Sequence, residues 1–320
     1  MRRIKKCTVF LLVLCLLLNL AGCAAAQKPL RVTLVLKTVT EVAEFWGTLL
    51  SGVEKAAEEY GVELKVLTSP REIDIDKQIE LIRQVTADKP DVMILSAADY
   101  DRCAEATEEA IAAGIGVVAI DTDVNAAGRA CFVGSNSYEI GLEMGRAMAS
   151  YLPEGGKVAV IQHMLTTTTG IERTRGVLDA LNEAGNIEIL GSFCCDNSTE
   201  QAQTITTELL SADPEIRGFV CTNEVCNVGA ANALVELGMG GRVYVVGCDN
   251  SQRQIQFLEQ NIIQAIVTQR PFNMGYVAVQ QAVRVANGEQ TDDFVEVSCV
   301  LITRENMYTQ ENQKLLFPVL

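Results

Sequence analysis

Short apolar runs rich in β-branched residues recur along this chain, and each stops abruptly at a polar side chain. Val32-Thr-Leu-Val-Leu-Lys37, Val117-Val-Ala-Ile-Asp121, Val158-Ala-Val-Ile-Gln-His163, Gly218-Phe-Val-Cys-Thr-Asn223, Val243-Tyr-Val-Val-Gly-Cys-Asp249 and Ala265-Ile-Val-Thr-Gln269 share the pattern. A continuous apolar run predicts a strand buried on both faces of a parallel sheet. The polar group that ends it must meet water or a ligand. Between the runs the period changes to that of a helix: Phe45, Trp46, Leu49, Leu50, Val53, Ala56, Ala57 and Tyr60 recur at helical spacing ahead of Gly61, a left-handed stop. Strands over 31–36, 64–67, 92–95 and 117–120 alternate with three helices, and the alternation resumes after Gly134. It runs to a helix from Met274 to Ala286 and a final strand from Phe294 to Ile302. Alternating strands and helices predict parallel sheets wound right-handedly, with ligands bound outside the carboxyl ends of the strands. No Pro- or Ser-rich linker separates the two runs, which predicts lobes that the chain crosses more than once.

The amino end differs from the rest. Arg2, Arg3, Lys5 and Lys6 precede an apolar run from Cys7 to Leu18, followed by Leu20-Ala21-Gly22-Cys23. This is the pattern of a secretory signal, and the tetrapeptide resembles the bacterial lipoprotein box. That resemblance implies cleavage after residue 22 and lipidation of Cys23, with acyl chains holding the mature protein on the outer face of the cell membrane. Loss of residues 1–22 removes four positive charges and moves the formal charge from −15 to −19. A chain this acidic offers no basic face for phosphates, so nucleic acid is excluded as a partner. A mature chain of this length exceeds one ordinary domain, and two lobes are expected.

Candidate chemistry removes more than it adds. Gly114-Ile-Gly-Val-Val-Ala119 matches a dinucleotide fingerprint by letter, but it closes a helix and opens a strand, the reverse of what phosphate binding needs. Gly156-Lys157 lacks the remainder of a phosphate loop. His163, the single histidine, could act as a base, yet no Ser or Cys elbow exists for it to activate. Cys131, Cys221, Cys248 and Cys299 fall within predicted strands, where cysteine behaves as a small hydrophobe. No pair has metal-ligand spacing. No metal, no cofactor and no enzymatic activity are expected.

Ordered landmarks span the chain: Glu44-Phe-Trp46, Gly52-Val-Glu-Lys-Ala-Ala, Ala113 to Asp121, Phe132-Val-Gly134, Arg173-x-x-Gly176, Thr222-Asn-Glu224, Val246-Gly-x-Asp249 and Gln269-x-Pro-Phe-x-Met-Gly275. With them, residues 30–320 resemble the ribose/galactose-type solute-binding proteins of bacterial ABC sugar importers. The resemblance implies the type I periplasmic-binding-protein fold: two Rossmann-like α/β lobes, each a parallel sheet flanked by helices, joined by a hinge of several crossings. It implies an N-terminal lobe of 30–134 plus 271–297 and a C-terminal lobe of 135–270 plus 298–320, after a signal peptide (1–22) and a lipidated tether (23–29). The hinge crossings are expected near Ser135, between Gln269 and Pro271, and near Val297 to Val300.

The same resemblance implies a sugar or related polyol as ligand and ABC permease subunits as partners of a monomeric receptor. Its functional positions fall on Phe45 and Trp46, where paired aromatics sandwich the sugar ring, and on Asp121, Asn223 and Asp249 at strand ends. Arg173 stands where a guanidinium reaches sugar oxygens, and Gln269 at a lobe crossing beside the ligand. Thr122 replaces an arginine common in ribose binders, and Asn197 an aromatic. The first loop departs from the ribose pattern, leaving Lys37 and Glu44 as further candidate contacts. The alternative role is a sensor subunit that presents its closed form to a chemoreceptor or kinase.

Overall fold

The computed structural model describes residues 28–38 and 44–317; residues 1–27, which hold the leader and Cys23, lie outside them. Two six-stranded sheets organise the chain. The first contains β1 (Arg31–Leu36), β2 (Glu63–Thr68), β3 (Val92–Leu95), β4 (Gly116–Ile120), β5 (Cys131–Gly134) and β11 (Phe294–Glu296), ordered β11-β5-β4-β3-β1-β2. The second contains β6 (Gly156–Gln162), β7 (Ile187–Cys194), β8 (Ile216–Cys221), β9 (Tyr244–Cys248), β10 (Ala265–Thr268) and β12 (Val300–Thr303), ordered β12-β10-β9-β8-β6-β7. The orders correspond position by position, so β4 and β9 occupy equivalent places, as do β1 and β6. The α/β class with two lobes is as the alternation predicts. Central strands such as β3 and β10 are buried at every residue, which is why they read as unbroken apolar runs.

One strand breaks the parallel rule. β12 pairs antiparallel with β10, Thr268 opposite Val300 and Ala265 opposite Thr303. The chain leaves β11 in the first sheet and needs only residues 297–299 to enter the second, so β12 starts beside the carboxyl end of β10 and must run backwards. The continuous strand expected over 294–302 is therefore two strands in different sheets. Cys299 lies in the crossing, not in a strand as expected. The other crossings follow β5, at 135–136, and β10, at 269–270.

Helix pairs close against each other in both lobes through glycine. In the first, α1 (Glu44–Tyr60) crosses α9 (Pro271–Ala286); in the second, α4 (Ser137–Tyr151) crosses α5 (Thr168–Ala184). A Cβ at Gly52 would stand 2.0 Å from the Phe272 carbonyl oxygen, and one at Gly176 would stand 2.2 Å from that of Tyr138. The landmark glycines are thus places where backbone meets backbone. All eight cysteines of the described residues are free thiols, six of them buried. Among the described residues no helix is long and apolar enough to cross a membrane.

Candidate functional site

The carboxyl ends of β1, β4, β6, β8, β9 and β10 face one another across the gap between the sheets. They border a cavity whose unfilled space, counted together with the open solvent at its mouth, is about 460 Å³. Of the residues singled out above, Lys37, Phe45, Trp46, Asp121, Arg173, Asn197, Asn223, Asp249 and Gln269 line it. Thr122 does not. Asp121 adopts a left-handed backbone, φ 61°, and the tight turn sends the next side chain inward, where Thr122 Oγ1 donates to the Ala97 carbonyl at 2.7 Å. Glu44 also stands outside the cavity, at its exposed rim, where its carboxylate accepts from the Gln252 amide at 3.1 Å. Glu72, His163, Thr169, Glu224 and Val225 complete the lining and were not among the candidate ligand contacts.

Asp121 and Asp249 mark the equivalent ends of β4 and β9, and both are left-handed, Asp249 at φ 68°. Non-glycine residues pay about 1 kcal/mol or more for this conformation, so the fold holds both carboxylates at the cavity against local preference. Asp249 Oδ1 accepts from Gln269 Nε2 at 2.6 Å, and Oδ2 accepts from the Glu224 amide at 3.3 Å. Arg173 Nη1 stands 3.9 Å from Oδ2 and donates to the Thr222 carbonyl at 2.9 Å. Its Nε has no partner among the described residues.

Opposite, Lys37 Nζ lies 2.9 Å from Glu72 and 3.3 Å from Asp121. Burial works against its charge, yet the two carboxylates outweigh it and raise its pKa above the ordinary value. His163 is the reverse case. Burial, then the charges of Lys37 and Arg173, hold its pKa well below the usual imidazole value. Its ring nitrogens lie 2.8 Å from Thr222 Oγ1 and 3.2 Å from Thr169 Oγ1, so it serves as a neutral hydrogen-bonding wall.

The aromatic pair departs from the expected sandwich. Phe45 and Trp46 are adjacent on α1, with ring centroids 5.1 Å apart and planes at 86°. Two perpendicular rings cannot form parallel walls, and both also pack into the core of the first lobe. Asn197, φ 54°, adds a polar wall instead of a second stack.

Polar contacts join the lobes around the cavity. Asn223 Nδ2 donates to Asn197 Oδ1 at 2.8 Å, and Asn197 Nδ2 donates to Glu72 at 2.8 Å across the gap. The Thr166 hydroxyl donates to the Ala98 carbonyl at 3.0 Å, the Tyr100 amide to the Thr166 carbonyl at 3.0 Å, and the Asp123 amide to Thr168 Oγ1 at 3.1 Å. The Thr166–Thr169 run caps α5, Thr167 accepting from the Gly170 amide, and clasps the first lobe at the same time. This is the closed arrangement of the lobes.

Two equivalent α/β lobes that close on a polar cavity at their strand ends define a two-lobed solute-binding protein. The chain belongs to the periplasmic binding protein domain family, whose model matches residues 33–290. It is 25% identical over 303 residues to the D-allose-binding periplasmic protein of Escherichia coli (strain K12), covering 90% of this chain and 96% of that protein. It is 24% identical over 286 residues to a ribose import binding protein of the same organism, covering 89% and 95%. The solved structure of an ABC transporter periplasmic solute-binding protein from Actinobacillus succinogenes 130z, with bound D-allose, superposes with a TM-score of 0.80 at 26% identity, covering 87% of this chain and 98% of that one.

Proposed function

We propose that this protein is an extracytoplasmic receptor that captures a sugar or sugar-like polyol between its lobes and delivers it to an ABC permease. The observation that carries the reading is the convergence of side chains from both lobes on one small, closed, polar cavity. Lys37, Glu72 and Asp121 come from one side, and Arg173, Asn197, Asn223 and Asp249 from the other. Alternating donors and acceptors suit hydroxyl groups, each of which both donates and accepts, and the aromatic side chains of Phe45 and Trp46 suit ring C–H groups. A ligand that touches both lobes stabilises the closed form, so binding shifts an open–closed equilibrium that a permease can read. The similarity to allose- and ribose-binding relatives supports the same ligand class, and the relative described as an import protein supports delivery over sensing.

A thermal-shift panel of pentoses, hexoses, inositols, amino sugars and nucleosides tests the reading. At ligand a hundredfold over its dissociation constant, stabilisation is about 2.7 kcal/mol, a clear rise in Tm for at least one member. No shift across the panel contradicts sugar capture. The lipid tether at Cys23 is part of the same proposal, in a receptor that acts as a monomer. Cys23→Ser should move the protein from the membrane fraction to the soluble one, and retention in the membrane would refute the anchor.

A further inference from the structure

Four carboxyl groups border the cavity, Glu72, Asp121, Glu224 and Asp249, against two cations, Lys37 and Arg173. None of the six is more than 7% exposed. Neutral His163 adds no charge. Glu72 and Asp121 share Lys37, and Asp249 faces Arg173. Glu224 is left over. Among the described residues it forms no ion pair and its Oε2 meets no hydrogen-bond donor; Ser251 is the one hydrogen-bond partner of its side chain there, and its own amide is engaged by Asp249. A carboxylate taken out of water without a counter-charge costs several kcal/mol, and it escapes that cost only by taking a proton or meeting a cation. In the unliganded cleft the proton wins: burial, then the charge of Asp249, pushes the Glu224 pKa up to about 8 against the hydrogen bond from Ser251, with Glu44 adding to the push.

Resting on the sugar-receptor reading, we propose that the cleft selects a ligand with a basic nitrogen on its ring, an amino sugar or aminocyclitol, whose ammonium group docks between Glu224 and Asp249. An ammonium supplies the donors that Oε2 lacks and offsets one of the two surplus negative charges. A hydroxyl supplies a donor only. The ligand's hydroxyl groups then fall to Lys37, Asn197, Asn223 and Arg173. Binding also has a proton signature: Glu224 enters protonated near neutral pH and leaves its proton to solvent when the ammonium arrives.

Calorimetric titration of the full chain at pH 6.5 with D-glucosamine, D-galactosamine and D-mannosamine, each beside D-glucose, D-galactose and D-mannose, tests this. At least one amino sugar should bind tenfold or more tightly than its neutral parent. The observed enthalpy should vary with the ionisation enthalpy of the buffer, reporting release of close to one proton. In Glu224→Gln the ratio of amino sugar to parent should fall to about one. A parent that binds as tightly as its amino counterpart, a preference that survives Glu224→Gln, or amino-sugar binding without proton release in the native protein overturns the proposal. The last measurement decides even if the variant fails to fold. Binding of neutral sugars alone overturns it and leaves the sugar-receptor reading standing, whereas silence of both series here and in the thermal-shift panel overturns both.

Discussion

Asp249→Ala is expected to lower ligand affinity by about thirtyfold or more while the protein still folds. The carboxylate joins three elements at the cavity. It accepts from Gln269 on the crossing after β10 and from the amide that opens α7 (Glu224–Glu236), and it faces Arg173 on α5. Truncating one member of a buried, hydrogen-bonded charge pair costs about 2–5 kcal/mol in binding, because the partners are left buried and unpaired as well as the ligand contact being lost. Folding should survive because the same change removes one of the cavity's surplus carboxylates, the one whose charge helps hold the Glu224 pKa up. Asp249→Asn separates charge from shape: Asn tolerates the left-handed backbone and keeps one acceptor, so its loss should be smaller, about tenfold at 1.4 kcal/mol. Titration calorimetry of both variants with the sugar retained from the thermal-shift panel gives the comparison. Unchanged affinity in Asp249→Ala would remove this carboxylate from the binding machinery.

Which parts of the site were legible in the sequence follows from how burial writes itself into a strand. β1, β4, β8, β9 and β10 are covered on both faces, so their residues are apolar up to the point where the cavity begins, and Lys37, Asp121, Asn223, Asp249 and Gln269 stand out. β2 is an edge strand with no fully buried residue, so no abrupt change announces Glu72, three residues beyond Ser69. Glu224 was hidden for a different reason. An acid in the first turn of a helix is ordinary and favourable there, and only the cavity reveals that this one lacks a counter-charge. His163 ends β6 in the same manner as the others, but its chemistry suggested a base, while its surroundings keep it neutral between two threonines. Thr122 and Glu44 illustrate the converse. Adjacency to a site residue does not bring a side chain to the site when a left-handed turn or the start of a helix intervenes.

The glycines at the helix crossings tie stability to the same cavity. Gly176→Ala is expected to destabilise the protein by about 1–3 kcal/mol or more, the range for overpacking a filled interior, and to weaken binding as well. Its Cβ would stand 2.2 Å from the Tyr138 carbonyl oxygen and 2.8 Å from the Leu142 amide nitrogen. Both are backbone atoms of α4 and cannot rotate away, so α4 and α5 must separate. Gly141, across the same crossing, leaves no more room, since a Cβ there would stand 2.2 Å from the carbonyl oxygen of Arg173. The residue against which the helices press is therefore the one that carries a cation into the cavity, and moving α5 shifts that guanidinium relative to Asp249 and Thr222. Gly47 supplies the control. It lies on the exposed side of α1 with nothing among the described residues within 4 Å of a Cβ, so Gly47→Ala should stabilise by about 0.5–1 kcal/mol through helix propensity alone. Urea unfolding of the two variants should thus move the midpoint in opposite directions, with ligand affinity reduced only in Gly176→Ala. A Gly176→Ala protein as stable as the parent would mean that α4 and α5 do not meet backbone to backbone.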